Sequence, residues 1–161
     1  MGMELTREKL RTVDVLEEMV RKLQKWNKKI VFTNGCFDII HAGHIKYLYQ
    51  AKSFGDVLII GLNSDASVRR IKGEERPINK ETDRALVLAA LEVVDYIVIF
   101  EEDTPYELIK KLSPNVLVKG GDWLVKDIVG SEIVLASGGE VKSLPYYEGH
   151  STTNILKKLK I

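Results

Sequence analysis

The sequence predicts an α/β protein: one doubly wound parallel sheet of about five strands with helices on both faces. Two observations predict it. Short, unbroken apolar runs alternate with longer segments whose apolar residues recur every three to four positions, the signature of doubly buried strands alternating with amphipathic helices. The conspicuous polar and glycine-containing segments follow the apolar runs. In such sheets ligands sit there, beyond the carboxyl ends of the strands near a switch in strand order. At 161 residues and 45% hydrophobic content, the chain can bury the core of one domain.

Residues 1–28 read as an N-terminal packing helix and 29–161 as the sheet domain. Over 4–28, Leu10, Val13, Leu16, Val20 and Leu23 share one face, with Thr6 or Thr12 available as a cap. Ile30-Val31-Phe32 is the first strand, stopping at the turn-prone Asn34-Gly35. A helix from about 42 to 53 carries Ile45, Leu48, Tyr49 and Lys52 at helical spacing and ends at Gly55. Val57 to Leu62 is the second strand, closed by Asn63-Ser64-Asp65. A short helix with Val68 and Ile71 leads into the charged stretch RRIKGEERP, which has little to bury and reads as a mobile loop. Asn79 or Thr82 starts the next helix, which buries Ala85, Leu88, Ala89 and Leu91. Tyr96 to Phe100 is the third strand. Asp103-Thr104-Pro105 opens a helix with proline at its first position and Leu108, Ile109 and Leu112 as its stripe. Val116 to Val118 is the fourth strand, followed by Lys119-Gly120-Gly121-Asp122. A helix around 129–137 stops at Gly138-Gly139, Val141 to Leu144 form the fifth strand, and a last helix carries Ile155, Leu156 and Leu159.

With 24 basic and 23 acidic side chains the net charge is +1, so no global field favours nucleic acid or an anionic membrane, and any attraction for phosphate is local. No apolar run approaches the roughly 20 residues of a membrane span, and the charged N-terminus has no signal-peptide core. The single Cys36 excludes an internal disulfide and fits a reducing compartment. The expectation is a cytoplasmic protein.

Two histidines mark the first loop. His41 and His44 are three apart, so on one helical turn they point the same way. As donors they hold an anionic oxygen while the helix N-terminus adds about 0.3–1 kcal/mol. Taken alone, the pair also fits one histidine capping and one packing; the strand and glycine-containing loop before it favour the anion. A zinc site needs three or four ligands. The remaining inventory is His150, Cys36 and scattered carboxylates, so no metal ligand is assigned. Ser151-Thr152-Thr153 offers hydroxyls and N–H groups to phosphate oxygens, or simply a cap. Arg69, Arg70, Lys72 and Arg76 can close over phosphates or form a solvated face. Arg84 lies among apolar residues, where an unpaired charge is costly, so it reaches a carboxylate or an anionic ligand. Gly120-Gly121 permits close backbone approach, and Asp122 can accept from a ribose or base, or form a turn. Cys36 has no obvious base and reads as a packing residue. These residues suit direct in-line displacement at phosphorus by positioning and charge stabilisation.

Gly35-Cys-Phe-Asp-Ile-Ile-His41-Ala-Gly-His44 and Gly149-His-Ser-Thr-Thr153 resemble the HxGH and C-terminal ST motifs of the HxGH nucleotidyltransferases, the cytidylyltransferase-like superfamily. The resemblance runs through essentially the whole chain and implies a single Rossmann-like sheet, with 29–161 as the nucleotidyltransferase domain. FTNGCFDIIHAGH, RPIN, LVKGGDW, IVGSE, the paired glycines before the last strand and STTNI are similar, more narrowly, to the adenylyltransferase domain of the bacterial heptose-phosphate enzymes of lipopolysaccharide core synthesis. That implies AMP transfer from ATP, with Mg²⁺ on the triphosphate, to D-glycero-β-D-manno-heptose 1-phosphate, giving ADP-heptose and pyrophosphate. It further implies a homodimer, with the sugar kinase on a separate chain. The resemblance makes His41, His44, Lys72 and Arg84 catalytic. It assigns nucleotide binding to Thr33, Asn34, Gly35, Cys36, Phe37, Gly43, Lys119, Gly120, Gly121, Asp122, Ser151, Thr152 and Thr153, with Trp123 bordering the nucleoside. Asp38, Asn63, Asp65 and Arg76 would bind the second substrate. One stretch departs: glycerol-phosphate cytidylyltransferases carry RTEGIST where this chain has Tyr146-Tyr147-Glu148-Gly149-His150-Ser151-Thr152, without the arginine, and His150 is a candidate replacement. The same chemistry on glycerol phosphate or a flavin nucleotide, and a non-catalytic nucleotide-binding protein, are the alternatives.

Overall fold

The computed structural model describes residues 2–145, 147 and 152–159. Helices α1 (Gly2–Lys9) and α2 (Val13–Lys25) precede β1 (Ile30–Gly35), α3 (Ala42–Lys52), β2 (Val57–Asn63), α4 (Asp65–Lys72) and α5 (Glu81–Ala89). Then come β3 (Tyr96–Phe100), α6 (Tyr106–Leu112), β4 (Val116–Gly120), α7 (Ser131–Ala136), β5 (Glu140–Leu144) and α8 (Thr152–Lys158). The five strands pair in parallel in the order β3-β2-β1-β4-β5. The chain winds outward from β1 through β2 to β3, then returns to lay β4 and β5 on the other side of β1. The switch point lies between β1 and β4, which confirms the Rossmann-like α/β fold.

The two faces of the sheet are read off alternate strand residues. Val31, Leu58, Ile60, Ile97, Val116 and Val118 pack with Leu48 and Ala51 of α3 and Ala85 and Leu88 of α5. Ile30, Phe32, Ile59, Val98 and Leu117 pack with Leu16 and Val20 of α2, Leu108, Ile109 and Leu112 of α6, and Val134 of α7. Both faces are therefore dry over β1 to β4, which is why these strands carry no polar alternation, whereas the edge strand β5, EVKSL, is only partly buried.

Five elements differ from the sequence reading. The segment expected as one helix over 4–28 is broken at Leu10–Thr12, because Arg11 N donates to Ile97 O at 2.9 Å and Leu10 bridges the same residue on edge strand β3. Leu10 is correspondingly exposed rather than part of the stripe. The charged stretch read as a loop is helical through Lys72, where Gly73 takes φ 99° and ends α4. Helix α5 starts after Lys80 rather than after Asn79 or at Thr82. In α3 it is Tyr47, not the exposed Tyr49, that packs against the sheet. Helix α7 is shorter than expected and follows a 3₁₀ turn, Val125–Asp127. No residue of α8 is fully buried, and Leu159 just beyond it is 60% exposed.

Candidate active site

A cavity of about 770 Å³ opens over the carboxyl ends of β1, β2 and β4, within the size range of small-molecule sites. Its floor is made by the loop after β1. Phe37 takes φ 45° and folds its ring back, so that a Cβ on Gly35 would meet Phe37 Cε2 at 2.9 Å. Glycine at 35 is the residue that allows the turn. The loop then delivers His41 to the N-cap position of α3, and buried Gly43 leaves the first helical turn without a side chain to cover it.

His41 and His44 both line the cavity, with their rings stacked at 3.9 Å. Phe37 also packs against His44, ring centroids 5.3 Å apart. The backbone N–H of His41 donates to His44 Nδ1 at 3.4 Å, so the ring proton lies on Nε2, which is thereby a donor. Burial, reinforced by the His41 charge, pushes the His44 pKa down to about 4. His44 is thus a neutral, fixed donor near neutral pH.

Cations and hydroxyls complete the walls. Lys72 at the end of α4 and Lys119 near the end of β4 both line the cavity. Burial, followed in smaller part by the Lys72 charge, holds the Lys119 ammonium below its ordinary pKa. Thr152 and Thr153 face in from α8, where Thr152 Oγ1 donates to Ile39 O at 3.5 Å. The Cys36 thiol is pushed up by burial, against the pull of Lys72, Arg84 and Arg76, and remains a protonated thiol rather than a nucleophile.

Asp38 is 4% exposed and clips the histidine loop to the segment before α5. It accepts from Arg76 Nε at 2.7 Å and from the backbone N–H groups of Ile78 and Asn79, both at 2.9 Å. Burial raises its pKa, but these donors outweigh it, and the carboxyl lies below its usual range. Asn79 Nδ2 returns a bond to Asp38 O at 2.7 Å.

Most residues expected at the site meet here: Asn34, Gly35, Cys36, Phe37, Asp38 and Gly43 from the first loop, with Asn63, Arg76 and Gly120 from the others. Five stand off the cavity. Thr33 is fully buried, with Oγ1 2.6 Å from Tyr47 OH, whose own hydrogen goes to Val118 O at 3.2 Å, tying β1 to β4 at the switch point. Arg84 is 1% exposed beneath the floor. Its guanidinium donates to Cys36 O at 2.6 Å, Asn79 O at 3.0 Å and Asp65 Oδ1 at 2.8 Å, which also removes Asp65 from the cavity. Gly121 and Asp122 do not line the cavity, although Gly120 and Trp123 on either side of them do. Trp123 is held there by Nε1 donating to Gly120 O at 3.1 Å and by its backbone N–H donating to Ser143 Oγ at 3.1 Å. Ser151 and His150 lie outside the described residues.

Tyr47, Asp103, Thr104 and Tyr147 also line the cavity, and the sequence reading assigns none of them to the site. Tyr47 was legible, since it falls one turn after His44 on the same helical face. No group of three or more His, Cys, Asp or Glu able to hold a metal occurs among the described residues, and no described helix is long and apolar enough to cross a membrane.

A cytidylyltransferase-like family model matches residues 32–158. Among curated proteins, the chain is 57% identical over 152 residues to the bifunctional protein HldE of Campylobacter concisus, covering 94% of this chain and 31% of that protein. It is 56% identical over 151 residues to HldE of Aliarcobacter butzleri, with 94% and 31% covered. The chain thus spans about a third of the length of the curated relatives it matches. Among solved structures, the lipopolysaccharide core biosynthesis protein of Thermoplasma volcanium superimposes with TM-score 0.60 at 28% identity, over 76% of this chain and 99% of that one. Pantoate-beta-alanine ligase of Francisella tularensis shares the fold, with TM-score 0.59 at 15% identity over 94% and 76%. With its motifs, its sheet order and a family match through most of its length, the chain belongs to the cytidylyltransferase-like nucleotidyltransferases.

Proposed function

We propose that the protein transfers AMP from MgATP to D-glycero-β-D-manno-heptose 1-phosphate, releasing pyrophosphate and giving ADP-heptose. The observation that carries the transfer chemistry is the fixed, neutral His44 donor stacked on His41 at the start of α3, with Lys72, Lys119, Thr152 and Thr153 around the same cavity. In-line displacement needs preorganised donors and cations rather than a covalent nucleophile. An acceptor phosphate is already anionic, so no side chain has to remove its proton. The site fits that economy, since Cys36 stays protonated and Asp38 is committed to Arg76 and two backbone N–H groups.

An acceptor phosphate oxygen forms a bond to the α-phosphorus of ATP while the α–β bridging bond breaks. The leaving pyrophosphate carries away the electron pair and its Mg²⁺. His41 and His44 donate to the non-bridging oxygens as charge builds, Lys72 and Lys119 offset that of the triphosphate, and the Thr152 and Thr153 hydroxyls hold the departing phosphates. Trp123 offers its ring to the adenine. The heptose acceptor is supported by the motif resemblance, by relatives named HldE, and by the likeness to the lipopolysaccharide core biosynthesis protein of Thermoplasma volcanium.

The test is pyrophosphate release by purified protein with ATP or CTP and Mg²⁺ against heptose 1-phosphate, glycerol 3-phosphate and FMN. Turnover is expected with ATP and the heptose phosphate. Turnover confined to CTP with glycerol phosphate, or to FMN, overturns the acceptor; nucleotide binding without release from any acceptor overturns the transfer.

A further inference from the structure

The aromatic wall of the cavity is built without core packing. Trp123 lines the cavity, is 48% exposed, and belongs to neither of the apolar clusters that flank the sheet. Its ring therefore owes its place to hydrogen bonds in the turn after β4. One lies within the turn: Nε1 donates to Gly120 O at 3.1 Å and fixes the rotamer of the indole. The others come from β5. Gly121 N donates to Leu144 O at 2.7 Å, and Gly121 takes φ 116°, so the chain turns back here with no side chain in the way.

Ser143 stands on β5 opposite Lys119. Its half-buried hydroxyl donates to Gly121 O and accepts from the Trp123 backbone N–H at 3.1 Å. A hydroxyl can donate and accept from one atom, so a single oxygen bridges the turn on both sides of Asp122. The bridge fixes the backbone from which the indole projects. Ser143 itself does not line the cavity, so any effect it has on a ligand passes through the turn. An exposed ring left free to swing must be ordered each time a base stacks on it, and that lost freedom subtracts from affinity. A ring already fixed avoids the loss.

We infer that Ser143 is a positioning residue for nucleotide binding: its hydroxyl locks the turn 120–123, so that Trp123 meets the nucleotide base already oriented. The inference rests on the nucleotide placement proposed above and adds a residue that touches no substrate. It makes three demands. Loss of the hydroxyl weakens nucleotide binding, a side chain of similar size that keeps the hydroxyl restores it, and the effect disappears when the indole is absent.

The experiment compares Ser143→Val with Ser143→Thr, near-isosteres that differ in the hydroxyl. Both are β-branched residues suited to an edge strand, so folding is expected to survive. Calorimetry reads Kd for MgATP without any acceptor. In a Trp26→Phe background Trp123 is the remaining tryptophan of the two, and its fluorescence anisotropy reads the freedom of the ring. Ser143→Val should weaken MgATP by about three- to tenfold, the scale of a lost hydrogen bond, with kcat at saturating ATP within about twofold of wild type. Anisotropy of Trp123 in the free protein should fall and recover when MgATP is added. Ser143→Thr should stay within about twofold of wild type in Kd, and in a Trp123→Leu background Ser143→Val should change Kd by less than about twofold. Wild-type affinity in Ser143→Val overturns the inference, as does a Ser143→Thr variant as weak as Ser143→Val. So does a full Ser143→Val effect that persists without the indole. A wild type that binds MgATP yet releases no pyrophosphate with any acceptor overturns the proposed transfer while the Kd comparison still decides Ser143. A wild type that binds no MgATP overturns both.

Discussion

Replacing Arg84 by methionine separates support of the site from direct action on a substrate. The change keeps most of the aliphatic stem and removes a guanidinium whose side chain has 0% relative exposure. It leaves three acceptors without their donor: Cys36 O on the histidine loop, Asn79 O before α5, and Asp65 Oδ1 at the start of α4. Breaking a buried charged pair from one side costs about 3–5 kcal/mol, and each stranded carbonyl about 1–3 kcal/mol. Asp65 retains 24% side-chain exposure and rehydrates in part, so the sum is held to about 3–5 kcal/mol. For a chain of this size that lowers Tm by about 6–20 °C, a large share of a typical 5–15 kcal/mol stability. Equilibrium urea unfolding with calorimetry reads the stability, and pyrophosphate release at 25 °C reads the activity. Both should fall together, because Cys36 O and Asn79 O anchor the two segments that Asp38 joins. Unfolding within about 1 kcal/mol of wild type, with activity down a hundredfold, would refute the reasoning and put the guanidinium on the substrate.

His44→Ala removes a preorganised donor and should lower kcat by about 10²–10³ with the fold retained by circular dichroism. His44 also makes stability depend on pH. Its folded pKa, about 4, lies below the ordinary 6.5, so the unfolded chain takes up the proton first as pH falls. Its contribution is complete above pH 6.5 and declines between 6.5 and 4; urea midpoints across that range should fall less steeply in His44→Gln. The half-buried Cys36 thiol, its pKa raised in the fold, should react with iodoacetamide at pH 7.5 at least about tenfold slower in the folded protein than in urea, followed by mass spectrometry.

Local pattern carried most of the fold because β1 to β4 are largely buried on both faces and each main helix on one. Apolar run length and helical spacing are then direct records of packing. The histidine pair was legible for the same reason: a helix start fixes where residues three apart point. What escaped depends on partners remote in sequence. The break at Leu10–Thr12 is made by Ile97. Arg84 was read as needing an anion, and Asp65 supplies one, but an apolar neighbourhood does not distinguish a structural carboxylate from a substrate phosphate. Asp103-Thr104-Pro105 gave the signature of a helix start, which hides that β3 ends level with β2 and turns these side chains toward the cavity.

The break between α1 and α2 has a consequence for solubility. The two outer strands of the sheet are protected differently. Strand β5 carries Glu140 and Lys142, charges that discourage another strand from pairing. Strand β3, YIVIF, carries none, and its outer edge is met instead by Leu10 and the N–H of Arg11. The N-terminal segment therefore works as a built-in edge guard. A chain trimmed before Val13 would keep its site residues yet bare an apolar strand edge, and light scattering should show it associating where the longer chain does not.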